Sequence, residues 1–193
     1  MKKQKNNENK KLLKDLQNLH DYLRETKEEE WSRVLPFDEL LFDRWEKAKF
    51  LKAKKGTSVY HNSYIFGDVS IGKNTWIGPN TILDASGGKI SIGNYCSISA
   101  GVQIYTHDSV KWSLSGGKNS IEKNSVSIGN NCYLGPNVIV SKDSKIGNRC
   151  VIGAQSLINN DIPSNSIVFG IPGKIVGTVQ VSGKNVKMKY FKK

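Results

Sequence analysis

Long apolar runs are missing from this sequence. No stretch approaches the roughly 18 consecutive apolar residues that mark a transmembrane helix. The early leucines between Leu12 and Leu19 are interrupted by Lys14 and Asp15, so no signal peptide is indicated either. We therefore expect a cytoplasmic protein without a transmembrane segment.

Cysteine and histidine are also scarce, with three of each. An odd number of cysteines without CxxC spacing fits neither a disulfide framework nor a zinc ribbon. A zinc enzyme that binds its metal through three histidines would need His20, His61 and His107 together, and His20 falls in a helical segment. We therefore expect reduced thiols and no metal site.

Positive charge is in excess but unevenly placed. The net charge is +12, and two Lys-rich ends carry much of it. The lysines in question are Lys2, Lys3, Lys5, Lys10, Lys11 and Lys14, then Lys184, Lys187, Lys189, Lys192 and Lys193. Such tails are solvated or attract phosphates, an anionic membrane or nucleic acid. Because the aromatic residues are scattered, we expect no nucleic-acid partner, while peripheral membrane contact stays open.

Residues 1–55 have a helical period. A first helix is predicted from Lys10 onward by leucines that share one face at spacings of three and four. They are Leu12, Leu16, Leu19 and Leu23. The stretch "LPFDEL" then interrupts the pattern, and a second helix is predicted from a cap at Asp38 to Gly56. We interpret 1–55 as an N-terminal helical, Lys-rich segment.

From Val59 the period is six, with a slip of three residues at "SGGKIS". An aliphatic residue opens each hexad: Val59, Ile65, Ile71, Ile77, Leu83, Ile92, Ile98, Ile104, Ile128, Leu134, Val140, Ile146, Ile152 and Ile158. Such repetition indicates a repeat architecture. Each hexad is read as a short strand plus a turn, three hexads form one triangular coil, and about five coils stack roughly 4.8 Å apart. Cys96, Cys132 and Cys150 fall on fifth positions, which favours inward packing over a chemical role.

This sequence resembles the hexapeptide-repeat, left-handed β-helix acyltransferases. The resemblance rests on the hexads, on "IYTHDSVKW" and on "DIPSNSIVFGIPGKIVG". It implies a mainly β protein, in which a left-handed parallel β-helix over 56–177 follows the α-helical segment and precedes a basic tail over 178–193. It also implies a homotrimer whose intersubunit grooves bind an acyl-CoA donor, most often acetyl-CoA.

The stretch from Ile104 to Ile128 breaks the repeat. Its hexad positions would be Val110, Gly116 and Glu122, and neither glycine nor a charged glutamate can fill a core ladder. The segment is therefore predicted to leave the prism as a loop over 108–126, and long loops in compact repeats are often functional.

His107 stands at the root of this loop. Acyl transfer to an alcohol or amine needs a base near the acceptor, and imidazole suits that task near neutrality. The resemblance implies that His107 is the general base, which lets the acceptor attack the acyl-CoA carbonyl directly. It also implies that Glu122 holds the histidine, with Asp108 as the alternative. Trp112 is expected to form a lip of the acceptor pocket.

The remaining site residues are also implied by the resemblance. Asn80 and Asp84 lie where related sugar acetyltransferases hold the acceptor. Contacts to CoA are expected from Tyr133, Gly135, Gly153, Ala154, Asn160 and Lys174. Lys174 offers a point charge for a CoA phosphate. Two of these positions depart from the family, because Asn160 stands where a lysine is frequent and Tyr133 where many relatives have tryptophan.

The sequence thus favours an acetyl-CoA-dependent sugar O-acetyltransferase of surface polysaccharide biosynthesis. The acceptor would be a sugar or a sugar nucleotide. N-acetylation of an amino sugar nucleotide is the alternative. A non-enzymatic β-helix assembly module is a distant third, since it predicts coils without an interruption.

Overall fold

The computed structural model describes residues 2–191, with side chains from residue 6 onward. The chain forms two compact units, of which the first ends at Asp43 and the second begins at Arg44. Parts of the predicted basic tails lie outside the described residues. These are the side chains of Lys2, Lys3 and Lys5, and all of Lys192 and Lys193.

The described residues contain four helices. They are α1 (Lys2–Trp31), α2 (Phe37–Leu41), α3 (Arg44–Phe50) and α4 (Val110–Leu114). The segment predicted as one second helix is two, because Phe42 adopts an extended conformation between α2 and α3. The predicted cap at Asp38 is wrong, since Pro36 precedes the helix and Asp38 lies inside its first turn, where a carboxylate suits the helix dipole.

The described residues form seventeen strands, numbered in chain order. They are β1 (Ser58–Val59), β2 (Tyr64–Ile71), β3 (Trp76–Ile77), β4 (Ile82–Ile92), β5 (Ser97–Ile98), β6 (Gln103–Tyr105), β7 (His107–Asp108), β8 (Glu122–Lys123), β9 (Val126–Ile128), β10 (Tyr133–Leu134), β11 (Ile139–Val140), β12 (Lys145–Ile146), β13 (Val151–Ile152), β14 (Leu157–Ile158), β15 (Ser166–Phe169), β16 (Lys174–Ser182) and β17 (Asn185–Tyr190).

The parallel strands form three faces of a β-helix. The first face contains β1, β3, β5, β10, β13 and β15. The second face contains the first halves of β2 and β4, then β6, β11 and β14. The third face contains the second halves of β2 and β4, then β9, β12 and a bridge to Ile162. The predicted coil of three hexads is confirmed.

The core is a ladder of like residues. Every predicted inward position is buried except Ile65, which is half-buried. Removing each such side chain from water stabilises the fold by about 1.5–3 kcal/mol. The three thiols extend the ladder at one corner, as predicted. Cys96, Cys132 and Cys150 are buried and free, and each donates to a backbone carbonyl oxygen of the next coil at 3.0–3.2 Å.

Helix α3 covers the first coil. Ala48 belongs to the buried core cluster, and Lys47 binds the turn that follows β1. Its Nζ donates to the carbonyl oxygens of Tyr60 at 3.1 Å, His61 at 2.7 Å and Ser63 at 2.7 Å. An ammonium group with several carbonyl acceptors anchors the helix to the prism.

Residues 178–193, expected as a basic tail, continue the sheet as far as Tyr190. Strands β16 and β17 form an antiparallel hairpin, and β16 pairs with β15 of the first face. Side chains of a strand alternate between its two sides, and this alternation explains why a Lys-rich segment forms a hairpin. Val179 pairs with Met188 and Val181 with Val186 on one side, while the lysines point to the other side. The lysine count obscured this strand pattern.

Candidate active site

Residues 107–125, between β6 and β9, leave the prism at the corner between the second and third faces. Strands β7 and β8 pair antiparallel there, with Asp108 directly opposite Glu122 and His107 opposite Lys123. Along the chain, helix α4 lies between these two strands. The projecting segment therefore returns to the corner that it left and forms a wall beside His107.

The coil that precedes β7 fixes the position of His107. Thr106 is fully buried, its hydroxyl donates to the carbonyl oxygen of Asp84 at 2.8 Å, and the same hydroxyl accepts the N–H of Gly87 at 2.9 Å. A Cβ on Gly87 would lie 2.4 Å from the Thr106 carbonyl oxygen and 2.6 Å from the Cβ of His107. Only glycine permits so close an approach. The slip at "SGGKIS" thus makes room for the histidine.

A carboxylate faces the His107 ring. Nδ1 of His107 lies 4.0 Å from Oδ1 of Asp84, and the two side chains are 30% and 18% exposed. Nδ1 is buried and has no hydrogen-bond partner among the described residues. Burial raises the pKa of Asp84, but hydrogen bonds from Ser86 and the interaction with His107 outweigh it, so this pKa lies below its ordinary value. An ionised carboxylate at Nδ1 favours the tautomer that leaves a lone pair on Nε2.

Glu122 lies away from His107 in this structure. Its carboxylate is bonded to Lys111, and its Oε2 lies 3.2 Å from Nζ of Lys142. These two ammonium groups hold the pKa of Glu122 below its ordinary value. The register explains the placement, because adjacent side chains of a strand point to opposite sides, and Glu122 is paired with Asp108 rather than with His107. The structure brings Asp84, not Glu122, to the imidazole.

Both oxygens of Asp108 are also engaged. Oδ1 accepts the N–H of Val110 at 3.0 Å, at the start of α4, and Oδ2 lies 3.2 Å from Nζ of Lys142. The Val110 hydrogen bond and Lys142 hold the pKa of Asp108 below its ordinary value. Asp108 therefore shapes the projecting segment and does not face His107.

The other two expected acceptor residues have different surroundings. Trp112 lies on α4, is 47% exposed and borders the turn at Gly117. Asn80 has a φ of 56° and exchanges hydrogen bonds with Asn62 at 3.2 Å in both directions. This turn joins the first and second faces, so Asn80 lies at another corner of the prism than His107.

The expected donor residues divide between two corners. Tyr133, on the first face, is 43% exposed, and Gly135, Gly153 and Ala154 follow at the corner between the first and second faces. Gly153 has a structural reason to be glycine, because a Cβ there would lie 1.8 Å from the Phe169 ring.

Asn160 and Lys174 are both exposed. Asn160 follows β14, at the corner that also carries His107, and Lys174 begins β16 opposite Phe169. Within one chain, the structure does not bring His107 to the corner that carries Gly135 and Ala154.

Three residues at this corner were missed by the sequence reasoning. Gly87 and Thr106 seat His107, and Lys142 binds both arms of the projecting segment. The sequence does contain an indication that Gly87 is special. The spacing from Leu83 to Ile92 is nine residues instead of six, and it occurs one coil before the 24-residue interruption. Lys142 carries no such signal, because a lysine in a turn is ordinarily solvated.

Residues 2–191 contain neither a membrane-spanning helix nor a cluster of metal-ligand side chains. Within 2–191, no helix is both long and apolar enough to cross a bilayer. In the same part of the chain, no cluster of three or more His, Cys, Asp and Glu side chains is placed to hold a metal ion.

Two family models match the chain. Residues 68–106 match "Hexapeptide repeat of succinyl-transferase", and residues 125–160 match "Bacterial transferase hexapeptide (six repeats)". The two ranges stop on either side of the projecting segment. The repeats and the interruption are therefore separate features of the chain.

Among characterised proteins, CapG of Staphylococcus aureus is 41% identical over 92 residues, which are 47% of this chain and 54% of CapG. The chain therefore spans about half the length of this relative.

Two solved structures share the fold. An AntD variant, an N-acyltransferase from Bacillus cereus in complex with dTDP-4-amino-4,6-dideoxyglucose and coenzyme A, has a TM-score of 0.58 at 17% identity over 71% of this chain and 89% of AntD. The hexapeptide-repeat acetyltransferase VCA0836 from Vibrio cholerae, in complex with acetyl coenzyme A, has a TM-score of 0.56 at 23% identity over 86% of this chain and 87% of that one. The matched ranges show that the chain contains hexapeptide repeats, and the chain shares the left-handed parallel β-helix fold of these two acyltransferase structures.

Proposed function

We propose that this protein is an acetyl-CoA-dependent acetyltransferase that acts on a sugar hydroxyl in the synthesis of a surface polysaccharide. The observation that carries the proposal is the His107–Asp84 pair at the root of the projecting segment. It joins an imidazole base to a carboxylate that directs its tautomer. The fold shared with the N-acyltransferase AntD and the acetyltransferase VCA0836 supports an acyl-transfer reaction.

The residues present suit a CoA donor. Ala154 is small and exposed, which gives a pantetheine arm access to the backbone at this corner, and Lys174 is exposed for a phosphate. Gly135 is buried against the backbone of Ala154. Gly153 is less accessible because Phe169 lies over it. We assign the donor contacts to Ala154 and Lys174, with Tyr133 and Asn160 bordering the same groove.

His107 performs the proton transfers of this reaction. Its Nε2 accepts the proton of the acceptor hydroxyl while the oxygen attacks the thioester carbonyl, and Asp84 stabilises the imidazolium that forms. The imidazolium then returns the proton to the departing thiolate, so that CoA leaves as a thiol and the sugar as an acetyl ester. Trp112 forms a lip of the acceptor pocket, and no covalent enzyme intermediate is needed.

A complete site requires more than one copy of the chain. His107 and the small residues Gly135 and Ala154 lie at different corners of the prism, and corners of a triangular prism point in different directions. The second face exposes apolar side chains, among them Tyr64, Phe66 and Ile139, which suits burial against another prism. We propose a homotrimer in which the His107 corner of one copy meets the donor corner of the next.

N-acetylation of an amino sugar nucleotide is the second candidate. It is favoured by the fold shared with AntD, an N-acyltransferase crystallised with an amino sugar nucleotide. The chemistry at His107 would be the same, since an ammonium acceptor must also lose a proton before it attacks. An assembly module without activity gives no reason for the His107–Asp84 pair.

The test is the release of free thiol from acetyl-CoA with a panel of neutral sugars, amino sugars and sugar nucleotides. The proposal predicts turnover with at least one neutral sugar hydroxyl acceptor. Turnover with amino sugar nucleotides alone would establish the second candidate. If no acceptor in any class is acetylated, while the protein binds no acetyl-CoA in calorimetry, the enzymatic assignment is wrong.

A further inference from the structure

Four charged side chains form a network on the side of the β7–β8 ladder away from His107. Asp108 and Glu122 lie directly opposite each other, and Lys111 and Lys142 bind them. Like charges at directly opposed positions of an antiparallel pair are destabilising. The ladder that carries His107 therefore depends on the two ammonium groups for its stability.

Lys142 and Lys111 belong to different parts of the fold. Lys111 belongs to α4, inside the projecting segment, whereas Lys142 belongs to the turn after β11, on the next coil of the rigid prism. Its Nζ lies 3.2 Å from Oδ2 of Asp108 and 3.2 Å from Oε2 of Glu122. One side chain of the prism thus binds both the outgoing and the returning arm of the segment.

A neighbouring contact acts in the same direction. Nδ2 of Asn124 donates to Oδ1 of Asp143 at 2.8 Å, and Asp143 follows Lys142 in the same turn. The returning arm is therefore held to this turn at two successive positions. By contrast, Lys118 lies at the far end of the segment and forms no hydrogen bond or ion pair among the described residues.

Isolated surface ion pairs contribute little to the stability of a fold, but this network is not an isolated pair. Lys142 is only 24% exposed and serves two carboxylates at once. Hydrogen bonds to Glu122 and Asp108 raise the pKa of Lys142. All the charges in the network are therefore compensated near neutral pH.

We propose that Lys142 is a positioning residue for the acetyl transfer. It clamps the two arms of the projecting segment to the next coil, and so holds the His107 imidazole over Asp84 and Trp112 beside the acceptor. This role rests on the proposed function, because it concerns the same base and the same acceptor. Lys142 acts through Asp108 and Glu122 and does not touch the reacting atoms.

The clamp is tested by substitution with a matched control. Lys142→Met keeps the length of the side chain and removes its charge, and Lys118→Met makes the same change in the same neighbourhood. We expect Lys142→Met to lower kcat by about five- to tenfold, the size of one or two lost ion-pair contacts, with KM for acetyl-CoA unchanged. Lys142→Arg should restore most of kcat, and Lys118→Met should match the unsubstituted protein.

A double-mutant cycle separates charge pairing from general structure. The Asp108→Asn/Glu122→Gln background removes both carboxylate partners of Lys142, so Lys142→Met should lower kcat less in that background than in the unsubstituted protein. An equal fold-loss of kcat in the two backgrounds would overturn the pairing.

Amide hydrogen exchange over residues 107–126, without substrate, measures the clamp independently of turnover. Lys142→Met should accelerate exchange in this segment and Lys118→Met should not. Faster exchange with unchanged kcat would overturn the positioning role, and unchanged exchange would overturn the clamp itself. If the unsubstituted protein transfers no acetyl group, the proposed function fails while the exchange result still decides the clamp.

Discussion

Gly87→Ala is the perturbation that most directly probes how the fold seats His107. The added Cβ would lie 2.4 Å from the carbonyl oxygen of Thr106 and 2.6 Å from the Cβ of His107. Ordinary contact begins at 3.4 Å, so the backbone at β7 must move by about 1 Å. A misplacement of about 1 Å near the reacting groups costs roughly a hundredfold in rate. We therefore expect kcat to fall by about two orders of magnitude.

Stability provides the control for this prediction. Crowding a packed site costs about 1–3 kcal/mol, and Gly87→Ala should lower the free energy of unfolding by that amount. Gly72→Ala is matched, since its Cβ would lie 2.5 Å from the backbone of Gly93, at a corner remote from His107. It should destabilise the fold similarly without reducing kcat of the folded protein. Thiol-release assays measure kcat of both variants, and denaturant titrations measure their stability. If the two variants lose kcat equally, Gly87 has no special role in positioning His107.

Two further predictions concern the anchoring of helix α3 by Lys47 and the clamp formed by Lys142. Lys47→Met removes the donor to three carbonyl oxygens and should cost about 2–3 kcal/mol of unfolding free energy in urea titrations; an unchanged midpoint would contradict the anchoring role. The lowered pKa values of Asp108 and Glu122 mean that the clamp is stabilising above the ordinary carboxylate pKa of about 4 and is lost as pH falls through the folded values. The raised pKa of Lys142 means that its contribution is present below its ordinary pKa and is lost only when pH rises through the raised folded value. Exchange protection of 107–126, after correction for intrinsic rates, should therefore be constant near neutrality and fall in acid; protection that falls between pH 6 and 8 would contradict this.

The β-helix was predictable because its core repeats a single rule. Aliphatic residues at every sixth position, such as Ile77 and Ile152, must point inward on a short strand, and the turns leave little freedom. The interruption was predictable for the converse reason, since Glu122 and Gly116 cannot occupy the ladder. Burial alone decides both outcomes, and burial is readable from residue type.

The partners within the site were not predictable in the same way. Whether Asp84 or Glu122 faces His107 depends on the register of a two-residue ladder and on a three-residue slip in the preceding coil. A shift of one residue would exchange the sides of that ladder. The hairpin after Lys174 was missed because its lysines suggested a solvated tail, although alternating Val and Met residues share its other face.

We propose above that His107 is the base that deprotonates the acceptor. The decisive measurement is the rate of acetyl transfer by His107→Ala, compared with the unsubstituted protein, together with the affinity of each for CoA. A positioned general base contributes about 10²–10⁴-fold, so the rate of His107→Ala should fall by that factor with CoA affinity nearly unchanged. If the rate falls by less than about threefold, which is far smaller than the loss of a general base causes, His107 is not the base.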